Sequence, residues 1–223
     1  MVLKVLSSSS AGNCYILESD TEALIIEAGV PFKEVKIALG FNVRKIVGVV
    51  VSHEHKDHSG YINQYVGVCP IYKPYELITP DNRFGNFFIK AFQLVHDVEC
   101  YGFYIQHPNI GTLIYASDTE YIKYRFKNLN HILVEANYSD DLIDNEAVNR
   151  EHVLRGHMSL QTALDFISTN DNPALRNVVL LHLSDNNADS AQFLQKTKET
   201  IKYGAYCYIA EKGLEVDLNL CPF

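Results

Sequence analysis

The stretch Val49-Val50-Val51-Ser52-His53-Glu54-His55-Lys56-Asp57-His58-Ser59-Gly60 decides how the rest of this chain is interpreted. Its three valines are typical of a buried strand, and three histidines and an aspartate follow within six residues. Imidazole nitrogens and carboxylate oxygens are the ligands of zinc and similar divalent metals. In an extended segment His53 and His55 point the same way, and a following turn can bring Asp57 and His58 to them. A solvated histidine-rich loop is the alternative, but a hydrophobic strand that delivers four ligands favours a metal site.

The composition indicates a globular protein. With 223 residues, of which 47% are hydrophobic and 21% charged, we expect a single domain over residues 1–223. No apolar run is long enough for a membrane span, and the N-terminus lacks the pattern of a signal peptide. Five scattered cysteines without a Cys-x-x-Cys pair suit a reducing, cytoplasmic environment. A net charge of −8 is unusual for a nucleic-acid binder, although bound cations can leave an acidic protein with a positive active site.

The hydrophobic pattern predicts strands interspersed with helices, arranged as two sheets packed face to face with helices outside, an α/β (α+β) fold. The serine-rich segment Ser7–Asn13 is predicted to be a tight, hydroxyl-lined loop between the first two strands. Helices are expected at 31–39, 59–66, 118–126, 159–168 and 189–202. Strands are expected at 1–6, 14–18, 22–27, 46–52, 68–72, 87–95, 100–106, 111–116, 131–135, 177–183, 205–209 and 213–218.

Polar residues recur directly after apolar strands: His96-Asp97, Asp118, Glu135 with Asn137, and His182. A lone aspartate in such a place is usually a helix cap, but together with the histidine-rich stretch these residues indicate a two-metal site. We expect Asp118 to bridge the two ions around a shared hydroxide. The first ion would be held by His53, His55 and His96, and the second by Asp57, His58 and His182.

His157 differs from the remaining histidines because it lies in Arg155-Gly156-His157-Met158-Ser159, just before a predicted helix. A helix start favours phosphate, so His157 could protonate a leaving group or hold a phosphate oxygen. Ser159 as a plain N-cap is the alternative, and both roles can hold at once. The other three, His107, His131 and His152, are predicted to be surface or structural residues.

At this point the sequence resembles a known family. His53-x-His55-x-Asp57-His58 is similar to the signature of the metallo-β-lactamase fold, a four-layered αββα sandwich, and the likeness extends to the YycJ (WalJ) branch of that superfamily. Further motifs follow in the order of the branch: Ser9–Tyr15, Glu27-Ala28-Gly29, His96-Asp97 with Gly102-Phe103, Asp118-Thr119-Glu120, Glu135-Ala136-Asn137, Gly156–Ser159 and His182–Asn187. The chain departs from the branch at Glu27, Glu120 and Tyr138, where Asp, Gly and His are expected. Glu27 keeps the charge that orients a metal-ligating histidine.

The resemblance implies a metal-dependent phosphodiesterase or nuclease, and some members of the branch act as 5′→3′ DNA exonucleases. We therefore expect two divalent ions, zinc first and manganese or iron as alternatives, with DNA a more favoured substrate than RNA. Asp57 and His157 are the expected catalytic residues, and Ser10, Asn13 and Ser159 the expected substrate-binding residues. Hydrolysis of a small ester, thioester or lactam on the same metals is the alternative. A degenerate, non-enzymatic binding module would have lost ligands, and all seven are present.

Overall fold

The structure, a computed structural model, describes residues 1–77, 79, 81–143, 155–184 and 186–221. Thirteen strands of the described residues form two sheets. The first, in spatial order β13-β1-β2-β3-β4-β5, comprises β1 Val2–Ser9, β2 Gly12–Glu18, β3 Ala23–Ile26, β4 Ile46–Val50, β5 Ile71–Tyr72 and β13 Glu215–Asp217. The second, in order β12-β11-β10-β9-β8-β7-β6, comprises β6 Asn82–Phe84, β7 Phe87–Gln93, β8 Tyr101–His107, β9 Gly111–Ala116, β10 His131–Glu135, β11 Asn177–Leu181 and β12 Tyr206–Ile209.

Helices cover the outer faces of both sheets. They are α1 Phe32–Ala38, the single turn α2 Lys56–Ser59, α3 Leu160–Asn170 and α4 Ser190–Thr200, with 3₁₀ turns at Val43–Lys45 and Ile62–Tyr65. Val35 of α1 packs on the outside of the first sheet, and Leu164 and Phe193 of α3 and α4 pack on the outside of the second. The largest apolar cluster lies between the sheets. This arrangement confirms the predicted four-layered αββα sandwich.

Parallel pairing places the carboxyl ends of several strands at one edge. Strand β3 pairs in parallel with β4, and β9, β10, β11 and β12 form a parallel block. Because side chains that follow parallel strands converge at the same edge of a sheet, the two sheets bring their polar strand ends together there. No described helix has the length and apolarity that a membrane crossing requires.

The prediction of a helix at 118–126 was wrong. The segment is irregular because tertiary contacts compete with helical hydrogen bonds. Thr119 Oγ1 accepts the Val95 N–H at 3.1 Å, and the Glu120 N–H donates to the carbonyl of Val95 at 2.9 Å. Further along, Phe126 packs on Phe92 of β7 with ring centroids 5.1 Å apart. The segment is therefore held against the second sheet as an extended strap.

The prediction of a loop over Ser7–Asn13 was also wrong. Ser7, Ser8 and Ser9 continue β1 and pair with β2, and the ladder shifts register between Val5 and Ser7. Only Ser10 and Ala11 form the turn. Serine is not among the residues enriched in strands, but pairing with Gly12–Cys14 of β2 keeps this segment extended.

Smaller differences concern element ends. The helix predicted at 59–66 is replaced by α2, which begins inside the histidine-rich stretch, and by the 3₁₀ turn at Ile62–Tyr65. The strand predicted at 68–72 is limited to Ile71–Tyr72, and β6 was not predicted at all. Each of these elements is four residues or shorter, too short to show a clear hydrophobic period.

Candidate metal centre

The predicted metal ligands and the polar residues around them form one cluster where the two sheets meet. Its members lie at or shortly after the ends of β3, β4, β7, β9, β10 and β11. Three of them have a left-handed backbone: Glu27 at φ 64°, Asp118 at φ 52° and His182 at φ 54°. A non-glycine residue in this region costs on the order of 1–3 kcal/mol, and such residues concentrate at functional sites. Each of the three directly follows, or comes two residues after, the end of a strand, so the strain turns its side chain toward the cluster.

His53, His55 and His96 form the first group. Each offers one nitrogen, and the three nitrogens lie within 4.8 Å of one another. The Nε2 atom of His96 is 3.4 Å from Nδ1 of His55, and His96 Nδ1 is held by the carbonyl of Gly156 at 2.9 Å. Asp97 flanks the group, with Oδ1 3.0 Å from His96 Nε2. Three converging imidazoles have the donor set of a zinc site.

Asp57, His58 and His182 form the second group, together with Asp118. The one-turn helix α2 places Asp57 and His58 side by side, with Oδ2 of Asp57 3.3 Å from Nε2 of His58. His182 enters from the second sheet, and its Nδ1 is 3.3 Å from Asp118 Oδ1. The structure thus assembles the second predicted group from both sheets.

Asp118 contacts both groups. Its Oδ2 atom is 2.9 Å from Nε2 of His58 and 3.6 Å from Nε2 of His53. Burial opposes the charge on this carboxyl, but the imidazoles of His182 and His58 outweigh burial and hold the pKa of Asp118 well below its usual range. A buried carboxylate that stays ionised between two histidine groups fits the position of a bridging ligand.

Two unpartnered imidazole nitrogens are a separate indication that the cluster binds metal. His53 Nε2 and His182 Nε2 are both buried and lack a hydrogen-bond partner among the described residues. Burying an imidazole nitrogen without a hydrogen-bond partner costs free energy. Coordination of a metal ion by the lone pair of that nitrogen removes this cost. Burial, with the neighbouring His58, also lowers the pKa of His53 to about 2, so its ring is the neutral form that ligates. The cluster can therefore bind metal ions.

Neighbouring side chains orient the ligands. Ser52 Oγ lies 2.8 Å from His53 Nδ1, and Glu27 Oε2 lies 3.5 Å from His58 Nδ1. The serine contact engages the ring nitrogen of His53 that would not hold a metal, which is how ligand tautomers are usually set. Glu27 places its carboxylate beside His58 without a hydrogen bond to that ring, so its orienting role stays a prediction.

Glu135 is the functional candidate that sequence reasoning noted as a strand end but left out of the metal and catalytic sets. It is fully buried at the end of β10, and its Oε1 is 2.7 Å from His157 Nδ1 and 3.2 Å from His182 Nδ1. Its Oε2 accepts the Thr119 N–H at 3.0 Å. Its position at the buried end of β10, after three apolar residues, was the available signal, because a carboxylate there must find partners when buried.

His157 lies beside the second group and pairs with this carboxylate. Its Nδ1 is 3.9 Å from Asp118 Oδ1, and its ring stacks on His182 with centroids 5.2 Å apart. Burial alone would lower the pKa of His157, but the Glu135 carboxylate outweighs burial and raises it to about 9. The structure therefore places a positively charged imidazole next to the metal ligands.

The three residues predicted to bind substrate have different surroundings. Asn13 lies in the cluster, with Nδ2 2.9 Å from His58 Nε2 and 3.3 Å from Asp57 Oδ2. Ser10 is exposed in the turn between β1 and β2, whereas Ser8, which was not singled out, accepts the His182 N–H at 2.9 Å. Ser159 caps α3, because its Oγ accepts the Thr162 N–H at 3.1 Å. Contact of Ser10, Asn13 and Ser159 with the substrate stays a prediction.

Two of the remaining histidines lie away from the cluster. His107 is buried rather than on the surface, and its Nε2 is 3.0 Å from Glu22 Oε1. His131 is fully buried, with Nδ1 3.0 Å from Asn177 Nδ2. Both are structural residues, which is one of the two roles, surface or structural, that were predicted for them. His152 lies outside the described residues, as does Asp185 of the segment after β11.

Comparison with known proteins connects this geometry to one family. The family model described as the metallo-beta-lactamase superfamily matches residues 9–126. A Bacillus anthracis protein named exodeoxyribonuclease YycJ is 25% identical over 168 residues, which cover 62% of this chain and 64% of that protein. The chain thus spans slightly less than two thirds of the length of that relative.

Two further relatives cover more of the chain. Exodeoxyribonuclease WalJ of Streptococcus pneumoniae is 23% identical over 219 residues, which cover 82% of this chain and 81% of that protein. The crystal structure of YhfI, a metallo-beta-lactamase fold protein of Bacillus subtilis, superimposes with a TM-score of 0.74 at 18% identity and covers 96% of this chain and 98% of that one. At this identity the superposition shows a shared fold.

Proposed function

The chain belongs to the metallo-β-lactamase superfamily, and from that premise we propose that this hydrolase is a binuclear metal-dependent phosphodiesterase that cleaves nucleic acid, DNA in preference to RNA. The two relatives named as exodeoxyribonucleases support nucleic acid as the substrate class. Cleavage from the 5′ end is the finer part of the proposal and comes from the resemblance to the YycJ (WalJ) branch.

The observation that carries the proposal is the contact between His157 and Glu135, 2.7 Å long, beside Asp118. Cleavage of a phosphodiester needs positive charge near the phosphate oxygens and a proton for the departing oxygen. Glu135 holds the Nδ1 proton of His157 and keeps the ring charged. The Nε2 proton is then the one that can pass to the leaving group.

His53, His55 and His96 would hold one divalent ion, and Asp57, His58 and His182 the other, with Asp118 between them. When bound, such ions polarise a phosphoryl oxygen and make water a strong nucleophile at neutral pH. Zinc is the ion that this histidine-rich donor set favours. Asp57 is less enclosed than Asp118, with about a fifth of its side chain exposed, so its carboxylate can also orient the attacking water and accept a proton from it.

The test compares four substrates on protein loaded with Zn²⁺ or Mn²⁺: bis-p-nitrophenyl phosphate, nitrocefin, end-labelled DNA and an end-labelled RNA of the same sequence. We expect cleavage of the phosphodiester and of DNA, with label released first from the 5′ end. Turnover of nitrocefin without phosphodiester cleavage would show instead that the centre serves a small-molecule lactam.

The variant His157→Asn separates proton delivery from metal binding. His157 also offers a donor atom that converges with those of Asp118, Glu135 and His182, but its Nδ1 is taken by Glu135 at 2.7 Å. We therefore expect the bound metal to stay unchanged while kcat falls about 10²- to 10⁴-fold, the range of general acid catalysis. Bis-p-nitrophenyl phosphate has a good leaving group that needs little protonation, so its hydrolysis should fall less than that of DNA. An equal fall for both would contradict a general acid role.

A further inference from the structure

A second feature lies on the outer face of the second sheet. A cavity of about 700 Å³ is lined by residues of β7, β8 and the strap that follows Asp118. Four of its lining residues are aromatic and only partly buried: Phe92, Tyr104, Tyr124 and Phe126. The rings contact one another, with centroids of Phe92 and Tyr124 5.7 Å apart and of Tyr104 and Phe126 6.2 Å apart. A cavity of this size accepts a ligand as large as a nucleoside.

Basic residues lie in and beside this aromatic cavity. Lys90 lines it, and Lys123 Nζ lies 5.2 Å from the centroid of the Tyr124 ring. Arg125 of the strap and Lys127 just after it are exposed. The ranges 87–93, 101–107 and 121–127 contain no acidic residue, and two carboxylates lie at the edges of the patch: Glu120 at the start of the strap, and Glu99, whose Oε1 accepts the Tyr101 hydroxyl at 2.6 Å. On a chain with a net charge of −8, such a patch is selective for an anionic partner.

The two chain segments that form the walls of the cavity continue in sequence into residues of the metal centre. Strand β7 ends at Gln93, three residues before His96, and the strap begins at Thr119, next to Asp118. The hydrogen bonds of Val95 to Thr119 and Glu120 tie the two walls together at this point. From Phe92 to His96 the chain spans at most about 14 Å, so a strand of a few nucleotides that is bound at the metals can reach the rings.

We infer that this aromatic cavity is a subsite for single-stranded nucleic acid, in which a base a few nucleotides from the scissile phosphate stacks on Tyr124 while the basic residues of the strap hold the backbone. Aromatic rings joined to positive charge are the combination that binds single strands without sequence preference. The inference rests on the proposed function for its substrate, but the binding of a single strand can be measured without cleavage.

The binding test uses the anisotropy of a labelled single-stranded oligonucleotide in the presence of EDTA, so that no cleavage occurs. Tyr124→Ala should weaken binding about tenfold, whereas Tyr124→Phe, which keeps the ring, should bind like the wild type. Tyr203→Ala is the matched control, since Tyr203 is 56% exposed and does not line the cavity. Equal binding by Tyr124→Ala and the wild type would overturn the inference.

The kinetic test separates the subsite from the proposed chemistry. With metal present, Tyr124→Ala should raise KM for the oligonucleotide about tenfold and leave hydrolysis of bis-p-nitrophenyl phosphate unchanged, because that small substrate cannot reach the rings. A wild type that binds the oligonucleotide through Tyr124 but cleaves neither substrate would refute the proposed function and keep the subsite. A Tyr124-dependent dimer in solution would assign this face to a second copy of the chain and overturn the inference.

Discussion

Asp118 has a left-handed backbone at φ 52°, a fully enclosed carboxylate and contacts to His58, His53 and His182. The strain is maintained because the residues on either side are held by other contacts. Ser117 Oγ donates to Asp118 Oδ1 at 3.1 Å, and the Thr119 N–H donates to Glu135. The position of a single carboxylate therefore depends on strands β9 and β10 together.

We expect Asp118→Ala to lose at least one of the two metal ions. Both histidine groups would lose the carboxylate between them, and the repulsion between two neighbouring cations would no longer be offset by its negative charge. Metal content measured after purification without chelators checks this. Glu54→Gln, which removes a charge from an exposed residue of the histidine-rich stretch, should keep both ions. Unchanged metal content in Asp118→Ala would refute the bridging role.

Among the elements, the turn after β3 contacts the histidine-rich stretch and fixes the position of its backbone. The Ala28 N–H donates to the carbonyl of His58 at 2.7 Å, and the Gly29 N–H donates to the carbonyl of Asn13 at 2.9 Å. A Cβ atom at Gly29 would come within 1.7 Å of the Asp57 carbonyl oxygen. The backbone that carries Asp57 and His58 can approach so closely only because residue 29 is glycine.

Gly29→Ala should therefore displace α2, weaken metal binding and lower the free energy of unfolding by about 1–3 kcal/mol, the usual cost of overpacking. Gly156→Ala is the matched control near the same site, because its Cβ would lie 3.5 Å from His96 Cε1, an ordinary contact. Metal titration and urea unfolding of both variants check this. Equal metal affinity for the two variants would contradict the role of Gly29.

The elements also show where sequence patterns were sufficient. Strands β9, β10 and β11 were predicted nearly to their ends because each is a continuous apolar run, and the long helices α3 and α4 because each has a clear helical period. The strap at 118–126 was not, because its conformation depends on hydrogen bonds to Val95, a residue that is distant in sequence. Local propensity carries no information about such a partner.

For the whole molecule, we expect the metals to contribute strongly to stability. The centre gathers the carboxylates of Glu27, Asp57, Asp118 and Glu135 among six histidines in a largely enclosed space. At a free ion concentration about a thousand times Kd, binding adds about 4 kcal/mol, so EDTA should lower Tm by roughly 8–16 °C. Thermal unfolding with and without chelator measures the shift. A Tm unaffected by EDTA would show that the fold does not depend on its metals.

We further expect His131 to make folding stability depend on pH. Burial lowers the pKa of His131 from 6.5 to about 4, so below pH 6.5 the unfolded chain binds a proton that the folded chain does not. The stabilisation is complete above pH 6.5 and is lost as the pH falls toward 4, by about 3 kcal/mol in total. His131→Gln should flatten this dependence.

Urea unfolding of wild type and His131→Gln between pH 7 and pH 4.5, both in EDTA, checks the expectation, because the other titrating groups are common to the two proteins. Parallel pH profiles would refute it. Nothing in the metal centre enters the comparison, since Asn177 is the side chain that His131 contacts and both lie at the amino ends of β10 and β11.

The sequence by itself determined the chemistry of the site, because ligand type is a property of the side chain: three imidazoles and a carboxylate after a valine strand indicate divalent metal. It also determined the layered fold, because apolar periods set which faces must be buried. Only the tertiary structure brought His96, Asp118 and His182 to that stretch and paired Glu135 with His157. These contacts join residues as many as 125 positions apart, from Asp57 to His182. Their distances follow from the packing of two sheets and from three strained backbone positions, and no local pattern contains them.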